Sequence, residues 1–528
     1  MRSIAVGTST IAILAALAAP AHAQSTAPDG DGPAEAEVQE IVVTGSRIAR
    51  RDFQAASPIV TLDSSAVAST GQVTLEDSLN QLPQFAAGSG AYSSGVAATG
   101  QANLNLRGLG ASRNLVLLDG RRLQPASSQQ VVDINVLPKS IIGDIEVISG
   151  GASAVYGSDA ISGVVNFKLR RIDGVEVTLQ NNVTEHGGGG LRDISVAAGK
   201  RFADDRLHIL AAASYSDRDE LSVQDRDFFK TSRGVSSSIV DAFFTGGANS
   251  PSQAAVNAGF APYGVAPGTV IRTSGLGVNN DGTLFSTGLG VHNYRNNSPY
   301  VFNNGQALLQ LPEYTYVQMP LERISTFGKV SYEFSPDLTF FVQGLYTEYN
   351  AVTLGDPAPN AGWQPVVPVT NPFIPAALRT LLASRPSPNA PIRLTKRYAE
   401  AGPRATEHES RTYQVIVGLS GGIGETDVTW DLSASRGDSR IDDELSGAVF
   451  ASRIQQLVDA ADGGASICAG GYNPFVTTGV SAECVGYFSG KARTRTSTAQ
   501  DVIELNFQGP VMDLPAGDLR FAAGSNYR

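Results

Sequence analysis

RLHILAAASYS, residues 206–216, alternates without a break. Leu207, Ile209, Ala211, Ala213 and Tyr215 fall on one side, and His208, Leu210, Ala212, Ser214 and Ser216 on the other. A period of two marks a strand whose two faces meet different surroundings. RISTFGKVSYEF repeats the pattern, setting Ile324, Val330, Tyr332 and Phe334 against Ser325, Lys329, Ser331 and Glu333. It returns at 338–349, 413–420, 427–436, 501–508 and 518–527, and more weakly at 174–182 and 192–202, which makes nine predicted strands.

The connections decide what the strands build. ADD (203–205), Ser335-Pro336 and Gly424-Glu425 read as tight turns. The loops between them run from about 218 to 322, 351 to 409 and 441 to 497. A soluble β-sandwich has no reason to collect its long loops at one end, whereas a transmembrane β-barrel does. Its polar face lines a lumen, its apolar face meets lipid, and strands of this length cross at a tilt. Backbone groups in lipid must all pair, so such a sheet must close. Nine strands is odd, bacterial single-chain barrels are even, and Tyr527-Arg528 falls inside an outbound strand. The expectation is the N-terminal part of a longer protein.

The residues ahead of the strands have a different texture. Arg2, the apolar run Ile11–Ala19 and Ala21-His22-Ala23 form a secretory signal peptide, residues 1–23, with a mature start at Gln24. The apolar run is too short to span a membrane as a helix. Residues 24–39 read as an acidic, disordered linker. An α+β pattern then runs from 49 to 172. SPIVTLD (57–63) is a strand, and Thr74-Leu-Glu-Asp77 opens a short helix with Leu75, Leu79 and Leu82 on its apolar side. NLNLRG and NLVLLDG are strands around a glycine-rich turn, and Asp119-Gly120 is a hairpin-turn pair. A second short helix is expected near Pro138, and DIEVIS (144–149) is a strand. Between linker and α+β region stands EIVVTGSRI (40–48), an apolar run with no core beside it.

Composition removes several classes. The net charge of −11 lacks the basic footprint that nucleic acid requires. The five histidines are isolated; there is no HExxH, no GxSxG and no Walker A stretch, and Gly187–Gly190 reads as a loop. An enzyme is not expected, nor a cofactor. Asp442, Asp443 and Glu444 read as a solvated loop, with a weak Ca²⁺ site as the alternative. Cys468 and Cys484 either pair in an oxidising compartment, stabilising by roughly 3 kcal/mol, or stay as two thiols.

LNLRGLGASRNLVLLDGRRL (104–123) and IEVISGGASAVYGSDAISGVVNFKLRR (145–171) resemble the two signature stretches of the plug domain of TonB-dependent receptors. EIVVTGSRI resembles the TonB box that precedes the plug. The resemblance implies a membrane β-barrel, antiparallel and here incomplete, with about nine strands of an expected 22. An N-terminal α+β plug domain (49–172) would fill it, and residues 173–528 would form the N-terminal part of the barrel. It implies the cell outer membrane of a Gram-negative bacterium and uptake powered through TonB, ExbB and ExbD. The implied cargo is a ferric siderophore, a glycan or another large nutrient. Glu40, Ile41, Val42, Val43, Thr44 and Gly45 would bind TonB by strand addition. A binding receptor without transport and a passive porin-like channel are the alternatives. A signalling transducer would need a folded domain in residues 24–39, which are too few.

The plug positions singled out by the resemblance are Arg107, Gly108, Gly110, Asp119, Gly120, Arg121, Glu146, Gly151, Tyr156, Gly157, Gly163 and Asn166. Most serve structure: turns and close backbone approaches need glycine. Arg107, Arg121 and Glu146 are expected to pair with charges on the barrel wall. Ser149-Gly150-Gly151 stands where many family members have Arg-Gly-Pro, so that polar anchor is expected either to be absent or to be supplied elsewhere, by Arg170 or Arg171. Ligand contacts are expected from FAAGSGAYSSGVAATGQ (85–101) with Tyr92, and from Tyr294, Tyr300, Trp363, Tyr472 and Phe475 in the long loops.

Overall fold

The computed structural model describes residues 59–63, 72, 74–93, 98–150, 152–230, 235–236, 243–287, 290–295, 300–303, 306–310, 314–360, 362–515 and 517–528. All belong to one compact unit, Val42–Arg528. The signal peptide, the linker, EIVVTGSRI, residues 49–58 and Gly151 lie outside the described residues.

The first sheet holds β1 (Ile59–Leu62), β2 (Asn114–Leu118), β3 (Arg121–Arg122), β4 (Ile142–Ile148) and β5 (Gly163–Leu169). Their spatial order is β1-β4-β5-β2-β3. β2 and β5 run parallel, and the other neighbours antiparallel. A sheet covered on both faces wants near-continuous apolar strands, and NLVLL of β2 is buried throughout. α1 (Leu75–Leu79) packs beneath it. Thr74 Oγ1 accepts the Asp77 N–H at 3.3 Å; Leu75 and Leu79 are buried, and Leu82 packs at the margin of the same core. The helix expected near Pro138 is a single 3-10 turn, Lys139–Ile141, because Ile142 already belongs to β4.

Nine further strands follow in simple succession. They are β6 (Gly174–Asn182), β7 (Leu191–Phe202), β8 (Leu207–Arg218), β9 (Leu321–Ser335), β10 (Leu338–Gly355), β11 (Arg404–Ile423), β12 (Thr426–Val449), β13 (Ser489–Leu514) and β14 (Gly517–Tyr527). Each pairs antiparallel with the next, forming one nine-stranded sheet. All nine expected strands are present. Among the described residues β6 and β14 each keep one free edge, so this is an incomplete β-barrel wall wrapped on a plug. Ile209, Tyr215, Tyr346, Tyr413, Val415, Val417, Leu432 and Ile503 point outward and are exposed. Ser214, Ser216, Ser325, Gln343, Thr347, Thr412, Gln414 and Ser433 point inward and are buried.

β11, β12 and β13 run well past their expected ends. Their outer thirds are polar on both faces, so the hydrophobic alternation stops while the backbone ladder continues. Cross-strand ion pairs line the wall there. Asp442 meets Arg440 at 2.7 Å and Arg495 at 2.5 Å, and Glu444 meets Lys491 and Arg493. Asp443 Oδ1 lies 2.7 Å from His408 Nδ1 on the other face. The three acids therefore sit on a strand, not in a loop, and alternate between faces. Among the described residues no group of three or more metal-ligating side chains is assembled.

The three long connections, 219–320, 356–403 and 450–488, share one core. α2 (Gln253–Phe260) gives it Val256 and Phe260; α3 (Ala376–Ala383) gives Leu378, Leu381 and Leu382. α4 (Ala451–Asp459) and α5 (Ala482–Phe488) add Ile454, Leu457, Cys484 and Phe488. Loop joins loop through Ser252 N–H to Ser384 Oγ (3.0 Å), Val366 N–H to Gln455 Oε1 (3.0 Å) and Thr477 N–H to Asn280 Oδ1 (3.1 Å). Cys468 and Cys484 are disulfide-bonded. We call this three-loop body the cap.

Candidate functional site

Asp119 and Gly120, at φ 49° and 74°, turn the chain between β2 and β3. The turn is tied down from inside the plug. Asp119 Oδ1 accepts the Leu169 N–H (3.0 Å), and the Gly120 N–H donates to Asn166 Oδ1 (2.9 Å). Asn166 Nδ2 in turn donates to Glu146 Oε2 (3.0 Å). Glu146 is fully buried and its charge is matched by Lys168 at 3.0 Å, so it does not reach the wall as expected. Nor does Arg107, which donates to the Ser149 carbonyl at 3.4 Å. Both are held within the plug because their partners lie on adjoining plug segments. Gly108, Gly110, Gly157 and Gly163 all have positive φ, at 71°, 99°, 89° and 136°.

Arg121 reaches the wall. Its Nη1 lies 2.5 Å from Asp431 Oδ1 and 3.1 Å from Ser433 Oγ, both on β12. Asp119 reaches it too, through Lys329 of β9 at 2.6 Å. Sequence reading assigned Asp119 to the turn alone. The available signal was Lys329 itself, a cation on the inward face beside Ser325 and Ser331. Phe341 of β10 stands between the pairs, 5.7 Å from the Arg121 guanidinium and 5.5 Å from Lys329 Nζ. The hairpin thus presents one anion and one cation to a wall offering the reverse. Both pairs are partly solvated, so each contributes little net stability, typically about 0–1 kcal/mol. They fix position and can be separated cheaply. Arg122 and Arg528 both bind Asp159. Burial pushes that carboxyl up, but the Arg528 hydrogen bond and the Arg122 charge outweigh it, holding it below its usual value. Arg170 pairs with Glu176 of β6 at 2.9 Å.

Nearer the cap the contacts are direct and buried. Tyr349 donates to Asp133 Oδ2 (2.6 Å), Thr347 to the Val136 carbonyl (3.0 Å), and Arg323 to the Asn135 carbonyl (3.3 Å). Gln414 clasps the plug backbone twice, accepting the Gln124 N–H (3.2 Å) and donating to the Arg122 carbonyl (2.8 Å). Glu76 and Arg218 face each other at 4.0 Å, both almost wholly buried. Burial, then the Asp77 charge, push the Glu76 carboxyl up despite Arg218. An acid whose folded value is raised holds its proton where the unfolded chain has lost it. Stability therefore falls as pH rises from the ordinary carboxylate value through the folded one. The Glu76→Gln chain is expected to show a flatter dependence than wild type. The check is the urea midpoint of plug proteolysis between pH 4 and 7; parallel curves would refute it.

Residues 51–164 match the family described as TonB-dependent Receptor Plug Domain. The chain carries a TonB-dependent receptor plug domain. Solved structures that this chain matches include the siderophore receptor PirA from Acinetobacter baumannii, at 12% identity and TM-score 0.44, covering 89% of this chain and 47% of that one. The ferric citrate transporter FecA, unliganded, matches at 11% identity and TM-score 0.41, covering 90% and 60%. A ferric enterobactin receptor mutant from Pseudomonas aeruginosa, bound to enterobactin, matches at 12% and TM-score 0.37, covering 89% and 58%. The chain thus spans about half the length of the first of them and about three-fifths of the other two.

The cap places two of the expected ligand contacts in its core. Tyr472 and Phe475 are buried in the cap core. The Tyr472 hydroxyl donates to Glu400 Oε1 at 3.1 Å, and its ring covers Lys396 Nζ at 5.3 Å. They are structural because three loops fold on one another here and aromatic residues supply the core. Trp363 is half-buried and stacks on Tyr398 at 5.8 Å. Tyr92 on the plug segment is exposed. The proposed TonB-binding residues, 40–45, lie outside the described residues.

Proposed function

We propose that this chain acts in an energised outer-membrane importer, taking a scarce nutrient from outside the cell into the periplasm. The reading is carried by one observation: a family-matched plug fills the concave face of a barrel wall and meets it, at the hairpin, through weak, oppositely signed ion pairs. An open pore needs no plug, and a permanent stopper would be better held by apolar packing than by solvated charges. Glu40–Gly45 would then add a strand to TonB, which transmits force into β1 at the plug sheet's edge. β1 pairs with β4 over only four residues, a short ladder to unzip. The cargo class, ferric siderophore or glycan, is open to a transport panel.

The test is deletion of Glu40–Ile48 from the full-length receptor. Retention on the immobilised periplasmic domain of TonB is expected to vanish, and energised uptake with it, while plug proteolysis stays as in wild type. Uptake that persists after the deletion would mark a passive channel and end the proposal.

A further inference from the structure

Between the hairpin and the wall lies a cleft of about 270 Å³. Asp119 and Arg121 line it from the plug, and Lys329, Phe341 and Gln343 from the wall; hydroxyl side chains supply the rest. The strand register builds it. Lys329 of β9 stands directly opposite Gln343 of β10, and Phe341 opposite Gly418 of β11. Gly418 leaves room for the ring: a Cβ there would lie 2.4 Å from Phe341 Cε1. Both cations are gathered about that ring, Arg121 at 5.7 Å and Lys329 at 5.5 Å. Gln343 is the telling member. It is only 3% exposed, and its Oε1 accepts no hydrogen bond from any described residue. Burying an amide oxygen without a donor is costly, and buried polar groups are as a rule paired. The ion pairs beside it leave donors over. Lys329 Nζ has three N–H groups, and among the described residues Asp119 takes one. Arg121 spends only Nη1, on Asp431 and Ser433. The cleft thus offers spare cationic donors and one orphan acceptor, and its lining sets two cations against the single acid Asp119.

We infer that this cleft is a binding site for a small hydroxycarboxylate, whose carboxylate takes the spare donors of Lys329 and Arg121 and whose hydroxyl donates to Gln343 Oε1. The carboxylate makes charge-assisted hydrogen bonds, the strong kind. The hydroxyl is the donor that the amide oxygen lacks. An ammonium in its place would face two cations, which disfavours an amino acid. An acid without the hydroxyl leaves the amide oxygen unpaired, and a site built around a buried polar group rejects the analogue that cannot bond it. The ligand lies beside Asp119 and draws on the same Lys329. Like charges repel, so occupancy and the seating of the hairpin oppose each other, and by linkage each weakens the other by the same factor. Loosening of the hairpin as a step in import rests on the function proposed above; the binding itself does not.

Lactate and propionate, which differ by one hydroxyl, are titrated calorimetrically into the full-length receptor and its Q343L, K329Q and D119N variants, each first shown to keep a protease-resistant plug. Wild type is expected to bind lactate at least tenfold more tightly than propionate. Q343L replaces an amide oxygen that has no partner, so it breaks no existing bond of that atom. It should keep the fold and abolish the preference for lactate. K329Q should weaken both acids at least tenfold. D119N keeps an acceptor for the Leu169 N–H but removes the competing charge, and should bind lactate several-fold more tightly. Equal wild-type affinity for the two acids would show that the amide serves water alone and would overturn the proposal. A preference that survives Q343L would place the site elsewhere and overturn it too. Weaker lactate binding by D119N would refute the antagonism with the hairpin. Deleting Glu40–Ile48 should leave the lactate titration unchanged while TonB retention is lost, which separates the two proposals.

Discussion

Exchanging Gly163 for valine is expected to leave no folded plug. Gly163 opens β5 at φ 136°, a conformation that side chains resist. A Cβ built there would lie 2.0 Å from the Ile148 carbonyl oxygen and 2.6 Å from Leu106 Cδ2. Neither neighbour can give. Ile148 is the last residue of β4 and pairs with both Ile59 and Val164, and Leu106 is fully buried in the plug core. The next residues of β5 hold the parallel partner β2 as well, so a shift at 163 opens the sheet on both sides. Strain at a special backbone position combined with core overpacking belongs to the exceptional class of losses, above about 4 kcal/mol. Gly120 provides the control. It has φ 74° but open space around its Cβ position, so Gly120→Ala should cost only about 1–2 kcal/mol, the price of the left-handed region. Limited proteolysis across a urea series reads both. A valine chain whose plug resists protease like wild type would refute the close-approach account.

The wall was legible because its outward and inward faces carry different chemistry on alternate residues, and that contrast is written into RLHILAAASYS and its repeats. Legibility ended where the contrast did. The outer parts of β11–β13 are polar on both faces, so strand reads like loop until cross-strand pairs such as Glu444 with Arg493 are seen. The plug motifs located the hairpin and Arg121. Glu146 misled, because a lone carboxylate in a signature looks outward-bound until Lys168 and Asn166 are placed beside it. Asp119 misled in the other direction: its turn chemistry was sufficient reason for its presence and hid its second partner. The cap was the largest omission. Its core draws on three loops separated by whole strands, so no window of sequence shows a helical period meeting its partner. Tyr472 and Phe475 consequently looked like free aromatics.

Removing the disulfide is expected to unfold the cap first and leave the wall standing. Cys468 and Cys484 are 16 residues apart, and a bridge over such a loop stabilises by roughly 3 kcal/mol in the chain-entropy model. More depends on it than that loop. The segment it closes carries Tyr472, whose hydroxyl binds Glu400, and the carbonyls of Pro474 and Val476, which accept from Lys396 Nζ at 3.4 and 2.7 Å. Lys396 and Glu400 form a buried ion pair at 2.8 Å. Such a pair is tolerable only while its remaining donors and acceptors are satisfied. Loosening residues 468–484 strips those partners away and leaves two charges inside an apolar core shared by all three loops. The strands beneath depend on their own ladder and on the plug, so they should keep their strand signal by circular dichroism. The C468S/C484S chain should therefore show a new, lower-temperature unfolding step and protease cleavage within 450–488, at temperatures where wild type is uncut. Dithiothreitol added to wild type should reproduce it. A single transition coinciding with that of wild type would mean that the cap core holds without its staple, and that the Lys396–Glu400 pair is secured by the packing of α4 and α5 instead.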